Sequence, residues 1–539
     1  MGIHIPVMNE GGLSEKSKVS INKIGGHRNR MEFNSILFET YKHEISEDTC
    51  TIPEFFVDLN MDQIIQKILT GKEEYDLNVF FYQNLKDIST INYRLEVMKE
   101  LENARVYDCI TTFSNEMKRV REYAQFSQNL HNRYQREKWL LDAGLLYCNA
   151  VLNLNGSLTS IDLKSKGLHL FNNWLTEYVN SDIFRVLYTD TKDLHKGFGN
   201  IKYSVQVERD KVMVNMDDTE DDYSASINKT FEGLNEGIFD YKIKIFTDLE
   251  MCLLETKILE IVRKMNIDTF DKLGGYYKKH SDFLNKTIKR FDREIQFYIS
   301  YVEYIGKLKR KGFIFAYPTI SYTKRLNVVA GYDLALAFKR LGSGTDIILN
   351  DFCLEGDERI YVLTGPNQGG KTTFARAFGQ ILFLASIGCP VPCQKAELFL
   401  YDHIFTHFST EENLSKSAGR LKEELSRLKS IMEKAKENSI IIVNELFATT
   451  TSHDAYTMGK KVLEHFIALD CICLYVTHIY ELALISKKTV SLVAAINSDK
   501  GAIRTYRIVR SPADGRAYAN SIVEKYNLTY SQIKERIRI

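Results

Sequence analysis

The chain has little proline and no paired-cysteine pattern, and each shortage excludes something. Seven prolines in 539 residues leave room for long helices, because proline removes a backbone donor and clashes with the preceding turn. None of the nine cysteines forms a C-x-x-C pair. Cys389 with Cys393, and Cys471 with Cys473, lack matching partners at zinc-ligand spacing, so reduced thiols are expected rather than disulfides or metal ligands. No apolar run is long enough to cross a bilayer, so no membrane partner is expected. The opening MGIHIPVMNEGG has no basic-then-apolar signal pattern, and Pro6 interrupts the myristoylation pattern; a cytoplasmic protein is expected. Charge of one sign is missing too: 71 Lys and Arg against 70 Asp and Glu leave +1. Any nucleic-acid contact would therefore need a local basic surface.

What is present is a globular composition, 44% hydrophobic and 26% charged, over a length that implies roughly two to four domains. The most informative stretch is Gly365-Pro366-Asn367-Gln368-Gly369-Gly370-Lys371-Thr372-Thr373, which fits G-x-x-x-x-G-K-[ST]. The apolar run Arg359–Thr364 before it reads as a buried strand, and Thr373–Ser386 after it has helical periodicity with no breaker. A strand, a glycine loop and a helix form the context in which this pattern cradles phosphates. The loop N–H groups converge on phosphate oxygens, and the helix N-terminus adds its positive dipole end. Lys371 is expected to reach the terminal phosphates and Thr372 to ligate Mg²⁺, so the chain is expected to bind a nucleoside triphosphate.

Upstream, residues 1–35 are polar and glycine-containing and are expected to fray. From there to about 195 the pattern is helical; Ile88, Ile91, Leu95 and Met98 make one face. Alternation at Ile201, Tyr203, Val205 and Val207, a turn at Arg209-Asp210-Lys211, and alternation again at Val212 and Val214 predict a hairpin. The acidic run from Asp217 to Asp222 is read as a solvated loop. From 281 to 305, Leu284, Ile288, Phe291, Ile295, Tyr298, Val302 and Ile305 form a heptad seam. Lys286, Lys289, Arg290 and Arg293 on its other faces are read as a solvated coiled-coil-like surface rather than a DNA-binding stripe.

Beyond about 345, apolar strands alternate with helices. Ile440–Val443 and Cys471–Val476 are expected to join the strand before the glycine loop in a parallel, doubly wound sheet. Val490–Ala495 and Ile503–Val509, joined across Asp499-Lys500-Gly501, predict an antiparallel hairpin, and helices are expected near Ala517–Tyr526 and Ser531–Ile537. Asn444 and Glu445 follow the strand 440–443, at the end where such sheets bind ligands. Glu445 can orient and deprotonate a water, and Asn444 can ligate Mg²⁺ through its amide oxygen, without the negative charge of an aspartate. His478, after the next strand, is read as sensing the γ-phosphate.

These motifs resemble the MutS family. GPNQGGKTT is similar to that family's GPNMGGKST, Asp402–Thr406 to its D-R-I-F-T, Asn444-Glu445-Leu446 through Asp454 to D-E-[IL]-x-x-G-T-x-x-x-D, and Val476–Leu482 to A-T-H-[YF]-x-E-L. Asp87–Leu101 resembles the start of the family's helical core. The resemblance implies an α+β multidomain chain: a mainly helical core and lever domain with a small β-hairpin clamp, then an α/β P-loop (ABC-type) ATPase domain. Its expected parts are a helical core at 36–195, a reduced clamp at 196–240, long lever helices at 241–315, and the ATPase domain with C-terminal helices at 316–539.

It also implies ATP and Mg²⁺ as ligands, Asn350 near the nucleotide, and a homodimer in which a signature segment, here Glu411–Arg420 with Ser417 and Gly419, completes the partner's site. The chain departs from the pattern at three points: Asn444 replaces the Walker B aspartate, Gly419 takes the signature serine's position with Ser417 two residues before, and Ile347 stands where an adenine-stacking aromatic is expected. No mismatch-reading domain with an F-x-E motif is expected ahead of the core, and no nuclease-type extension after the ATPase domain. The expected activity is ATP hydrolysis driving a clamp on duplex or branched DNA in repair or recombination. The alternatives are a nucleotide-gated dimeric scaffold with little hydrolysis and an RNA- or ribosome-associated ATPase. A transporter ATPase is disfavoured by the lack of an L-S-G-G-Q signature.

Overall fold

A computed structural model describes residues 33–39, 51–208, 211–216, 251–342, 347–408, 417–447, 450–497, 503–512 and 530–537. The expected acidic loop, the turn 499–501 and the helix near 517–526 lie outside these residues.

Several helices before residue 309 begin where short polar side chains cap them. Asp87 accepts from Thr90 N ahead of Ile88–Glu100, Asn132 from Tyr134 N and Gln135 N ahead of Arg133–Thr159, and Ser181 from Phe184 N ahead of Asp182–Gly199. Such caps satisfy amide donors that the first turn leaves orphaned. The helices Ala104–Asn129 and Arg133–Thr159, separated by three residues, form the longest helical hairpin. Phe33 and Ser35, at the end of the stretch 1–35 expected to fray, are buried instead, with Ile36 and Leu37 just beyond it.

The heptad-bearing helix runs Lys286–Lys309, starting later than its apolar spacing suggested because Asn285 caps it. Lys286, Lys289 and Arg290 are exposed, as the solvated reading expected, but other polar positions of the helix are not. Asp292, Glu294, Gln296 and Ser300 are buried along with the seam. Arg290 donates to the Asn34 carbonyl, and Arg293 to those of Tyr75 and Asp76. The buried polar residues of this helix, with Arg290 and Arg293, fasten it to distant parts of the chain.

The expected hairpin is β1 (Tyr203–Glu208) with β2 (Lys211–Met216), paired antiparallel with Val205 opposite Val214. Ten further strands follow: β3 (Thr319–Ser321), β4 (Leu326–Gly331), β5 (Asn350–Leu354), β6 (Ile360–Thr364), β7 (Lys395–Phe399), β8 (Ile404–Phe408), β9 (Ile440–Asn444), β10 (Ile472–Val476), β11 (Thr489–Asn497) and β12 (Ile503–Arg510). Six of them form a sheet in the order β12-β11-β6-β10-β9-β8, parallel except for β12. β6, β9 and β10 are buried throughout, as parallel strands covered on both faces must be. A second sheet, β3-β7-β4-β5, is mixed; the sequence pattern did not reveal it.

One face of the main sheet carries helix Lys371–Ser386, which is buried almost along its length. The helical region packs directly onto it, and one buried core continues across residue 315. Phe55 and Phe56 set their rings edge-on against Phe383, and Tyr301 Oη donates to the Pro390 carbonyl. Arg94, fully buried, donates to the Ile387 carbonyl at that helix's C-terminus, where a positive charge complements the dipole. The other face is covered by helices Ser417–Lys434 and Ser452–Leu469 around Leu428, Val462, Phe466 and Tyr475. No helix among the described residues is long and apolar enough to cross a membrane.

Candidate nucleotide site

β6 ends at Thr364 and the chain turns through Gly365 to Gly370 into the helix that opens with Lys371. Gly365 has φ +131° and Gly370 φ +92°, conformations that disfavour a side chain. A Cβ on Gly369 would come within 2.9 Å of the Pro366 carbonyl oxygen. Gln368 holds φ +58° at the exposed tip beside Asn367, and Arg504 donates to its Oε1 at 2.7 Å. No side chain caps helix Lys371–Ser386, so its first N–H groups, including those of Thr372 and Thr373, are left for an anion.

Lys371 is buried, and burial pushes its ammonium below the usual lysine range. Its Nζ donates to the Gly365 and Pro366 carbonyls at 3.1 and 3.2 Å and stands 3.7 Å from Glu445 Oε1. Thr372 Oγ1 lies 3.5 Å from Asn444 Oδ1 at the end of β9. Glu445 follows with φ +57°, its N–H bonded to Val476 O on the neighbouring β10. A non-glycine residue held in this region marks local strain, which concentrates at functional sites. His478, two residues beyond β10, places Nε2 3.3 Å from Glu445 Oε1. The bond from His478, joined by the charge of Lys371, outweighs burial and holds the Glu445 carboxyl below its usual range. Glu445 is thus ionised at neutral pH, as a group that takes a proton from water must be.

These residues border a cavity of about 670 Å³ whose lining includes Gln368, Lys371–Phe374, Glu445, Asn350, Ile347 and Tyr506. That volume suits a nucleotide-sized ligand. Asn350 also anchors the neighbouring strand: its Oδ1 accepts from Ile508 N at 2.7 Å, and its Nδ2 donates to Tyr506 O at 3.4 Å. Tyr506 escaped the sequence reading. It adopts φ +58° where the β11–β12 register shifts, and its ring and backbone lie against Gly370. A bulge in an alternating strand leaves little trace in composition, so only the fold brings this aromatic to the cavity.

The donor set suits Mg²⁺: a hydroxyl and an amide oxygen face each other, with a carboxylate next in sequence. It lacks the carboxylate that would bind the ion most strongly. Ser417 and Gly419 open helix Ser417–Lys434, inside the expected signature segment Glu411–Arg420. The remainder of the expected signature, 411–416, and the side chain of Ser417 lie outside the described residues.

Fold and site define a P-loop nucleotide-binding domain on a doubly wound sheet. Residues 361–536 match the family MutS domain V. Over 282 residues the chain is 27% identical to the DNA mismatch repair protein MutS of Thermotoga neapolitana, a match covering 51% of this chain and 34% of that protein. It is 36% identical over 143 residues to the DNA mismatch repair protein MSH2 of Saccharomyces cerevisiae, covering 26% of this chain and 15% of that one. With MutS of Orientia tsutsugamushi it shares 28% identity over 212 residues, covering 38% and 24%. These matches support membership of the MutS family. The chain covers about a third or less of the length of these curated relatives.

Proposed function

We propose that the chain is an ATPase that works as a homodimer on duplex or branched DNA, with ATP binding and slow hydrolysis at composite sites closing a clamp around the nucleic acid. The observation that carries this reading is the convergence of Lys371, Glu445 and His478 at the ends of adjacent parallel strands beside the cavity. Lys371 supplies the charge that opposes terminal phosphates, and the uncapped helix start adds N–H donors. Glu445, oriented by His478, accepts a proton from water as it attacks the γ-phosphorus. Thr372 and Asn444 would hold Mg²⁺, which when bound screens phosphate charge and acts as a Lewis acid. Tyr506 offers a ring for the base where Ile347 offers none.

Helix Ser417–Lys434 would present Ser417 and Gly419 to a second subunit. The names of the chain's repair relatives support DNA as the ligand and a repair setting; a role in recombination and a cytoplasmic location belong to the proposal. Asn444 also favours a second reading, a dimeric scaffold gated by nucleotide with little turnover. Phosphate release, measured alone and with homoduplex, mismatched, four-way-junction DNA and structured RNA, separates the two. Turnover that rises with DNA supports the clamp ATPase. ATP binding without turnover supports the scaffold, and stimulation by RNA alone moves the ligand away from DNA.

A further inference from the structure

Asp58 closes a short helix, Phe55–Asp58, far from the nucleotide motifs in sequence but joined to several of the elements that carry them. Its side chain is 11% exposed. One carboxylate oxygen, Oδ2, accepts from Thr406 Oγ1 on β8 and from Arg427 on helix Ser417–Lys434, both at 2.6 Å. Its backbone carbonyl accepts from Arg376 Nε at 3.2 Å, and that of Leu59 accepts from Gln380 Nε2 at 2.9 Å. Arg376 and Gln380 lie on the helix that begins with Lys371. Gly379, between them, has no room for a side chain: a Cβ there would meet Leu59 Cδ1 at 2.5 Å. The turn at 58–59 is therefore clasped to the phosphate-loop helix on one side and to the helix opening with Ser417 and Gly419 on the other.

A bond from a guanidinium to a shielded carboxylate is stronger and more directional than a neutral one. Both helices are stiff: at 1.5 Å rise per residue, Arg376 lies about 8 Å along its helix from Lys371, and Arg427 about 15 Å from Ser417. A tilt of the first helix when its loop closes on phosphate moves the 58–59 turn and, through Arg427, the start of the second. We infer that Asp58 is a positioning residue that sets the Ser417 end of this helix according to the state of the chain's own phosphate loop, so that filling one nucleotide site of a dimer is felt at the other. This inference rests on the composite-site reading proposed above.

The test compares the full-length parent with Asp58→Asn, Arg427→Gln, the double variant and Arg427→Lys. Fluorescent-nucleotide affinity, ATP-dependent association and the ATP dependence of turnover are measured for each. Asp58→Asn keeps the shape and the Thr406 partner but weakens the pull on Arg427. It is expected to leave nucleotide affinity within about twofold, lower turnover about tenfold and flatten the cooperative response to ATP, within the usual range of coupling energies. The double variant should be no worse than either single one, and Arg427→Lys should keep most of the turnover. Parental turnover and cooperativity in Asp58→Asn, additive losses in the double variant, or affinity falling in step with turnover and thermal stability would each overturn the inference. A parent that stays monomeric with ATP removes the composite-site reading and this inference together. A parent that associates while Asp58→Asn matches it in every readout removes this inference alone.

Discussion

Buried charge is bonded in two ways in this chain. In the helical region, Glu294 accepts from Ser35 Oγ at 2.7 Å and Ile36 N at 3.0 Å, and Gln296 accepts from Lys72 at 3.0 Å while donating to Ser114. In the cavity, Lys371 has two backbone carbonyls at 3.1 and 3.2 Å and a carboxylate at 3.7 Å, and Thr372 meets Asn444 at 3.5 Å. The first set ties residues 35–36 and 72 to a helix more than two hundred positions away. The second set is long and loosely satisfied, on groups whose burial is costly. Tight bonds to a buried charge hold a structure together, whereas loose ones leave it available to a ligand.

Variants can break or sharpen that contrast. The largest effect is expected at Lys371→Ala: nucleotide binding is lost in calorimetry while thermal stability holds or rises, because a buried and poorly bonded charge has been removed. Unchanged ATP affinity would take Lys371 out of the phosphate site. Glu445→Gln should keep ATP binding and cut turnover about 100-fold, the scale of losing a general base; a loss of only a few-fold would pass the role to His478.

Glu294→Ala should do the reverse of the cavity variants. It leaves the Ser35 hydroxyl and the Ile36 amide without their partner and is expected to cost about 3 kcal/mol in urea unfolding, with nucleotide affinity unchanged. A neutral result would erase the distinction between the two sites. Asn444→Asp restores a carboxylate beside Thr372 and should lower the Mg²⁺ concentration for half-maximal ATPase several-fold; no shift, or an upward one, would put Asn444 outside the metal's sphere.

The smallest effect is expected at Asp470. Burial raises its pKa, but bonds from Lys488, Lys324 and Arg359 prevail and hold it well below the usual carboxylate range. A depressed folded-state pKa contributes stability above the unfolded value, about 3.9, which is lost as pH falls below it. Asp470→Asn should therefore flatten the loss of stability below pH about 4, read from unfolding midpoints across pH. An unchanged acid slope would show that this cluster carries no such linkage.

Much of the nucleotide site was legible because its parts are contiguous. The glycine loop is a continuous run, and Asn444, Glu445 and His478 directly follow short apolar strands whose β-branched residues announce a parallel sheet. What stayed hidden depends on partners far along the chain. Heptad spacing marked the apolar side of helix Lys286–Lys309, but the burial of Glu294 requires Ser35, and nothing local signals that. The β3-β7-β4-β5 sheet joins strands separated by the whole phosphate loop and its helix. Tyr506 reaches the cavity only because a bulge turns it, and Asp58 matters only where three distant side chains, of Thr406, Arg427 and Arg376, meet it.

The central claim is that the cavity is half of a site completed by another copy of the chain. It is tested most directly by mixing Glu445→Gln chains with chains altered at both Ser417 and Gly419, and measuring phosphate release at saturating ATP. Each variant alone should be nearly inactive. The mixture should regain part of the parental turnover, because some mixed dimers pair an intact Glu445 with an intact partner segment. No recovery on mixing, with sedimentation showing monomers at saturating ATP, would contradict the account.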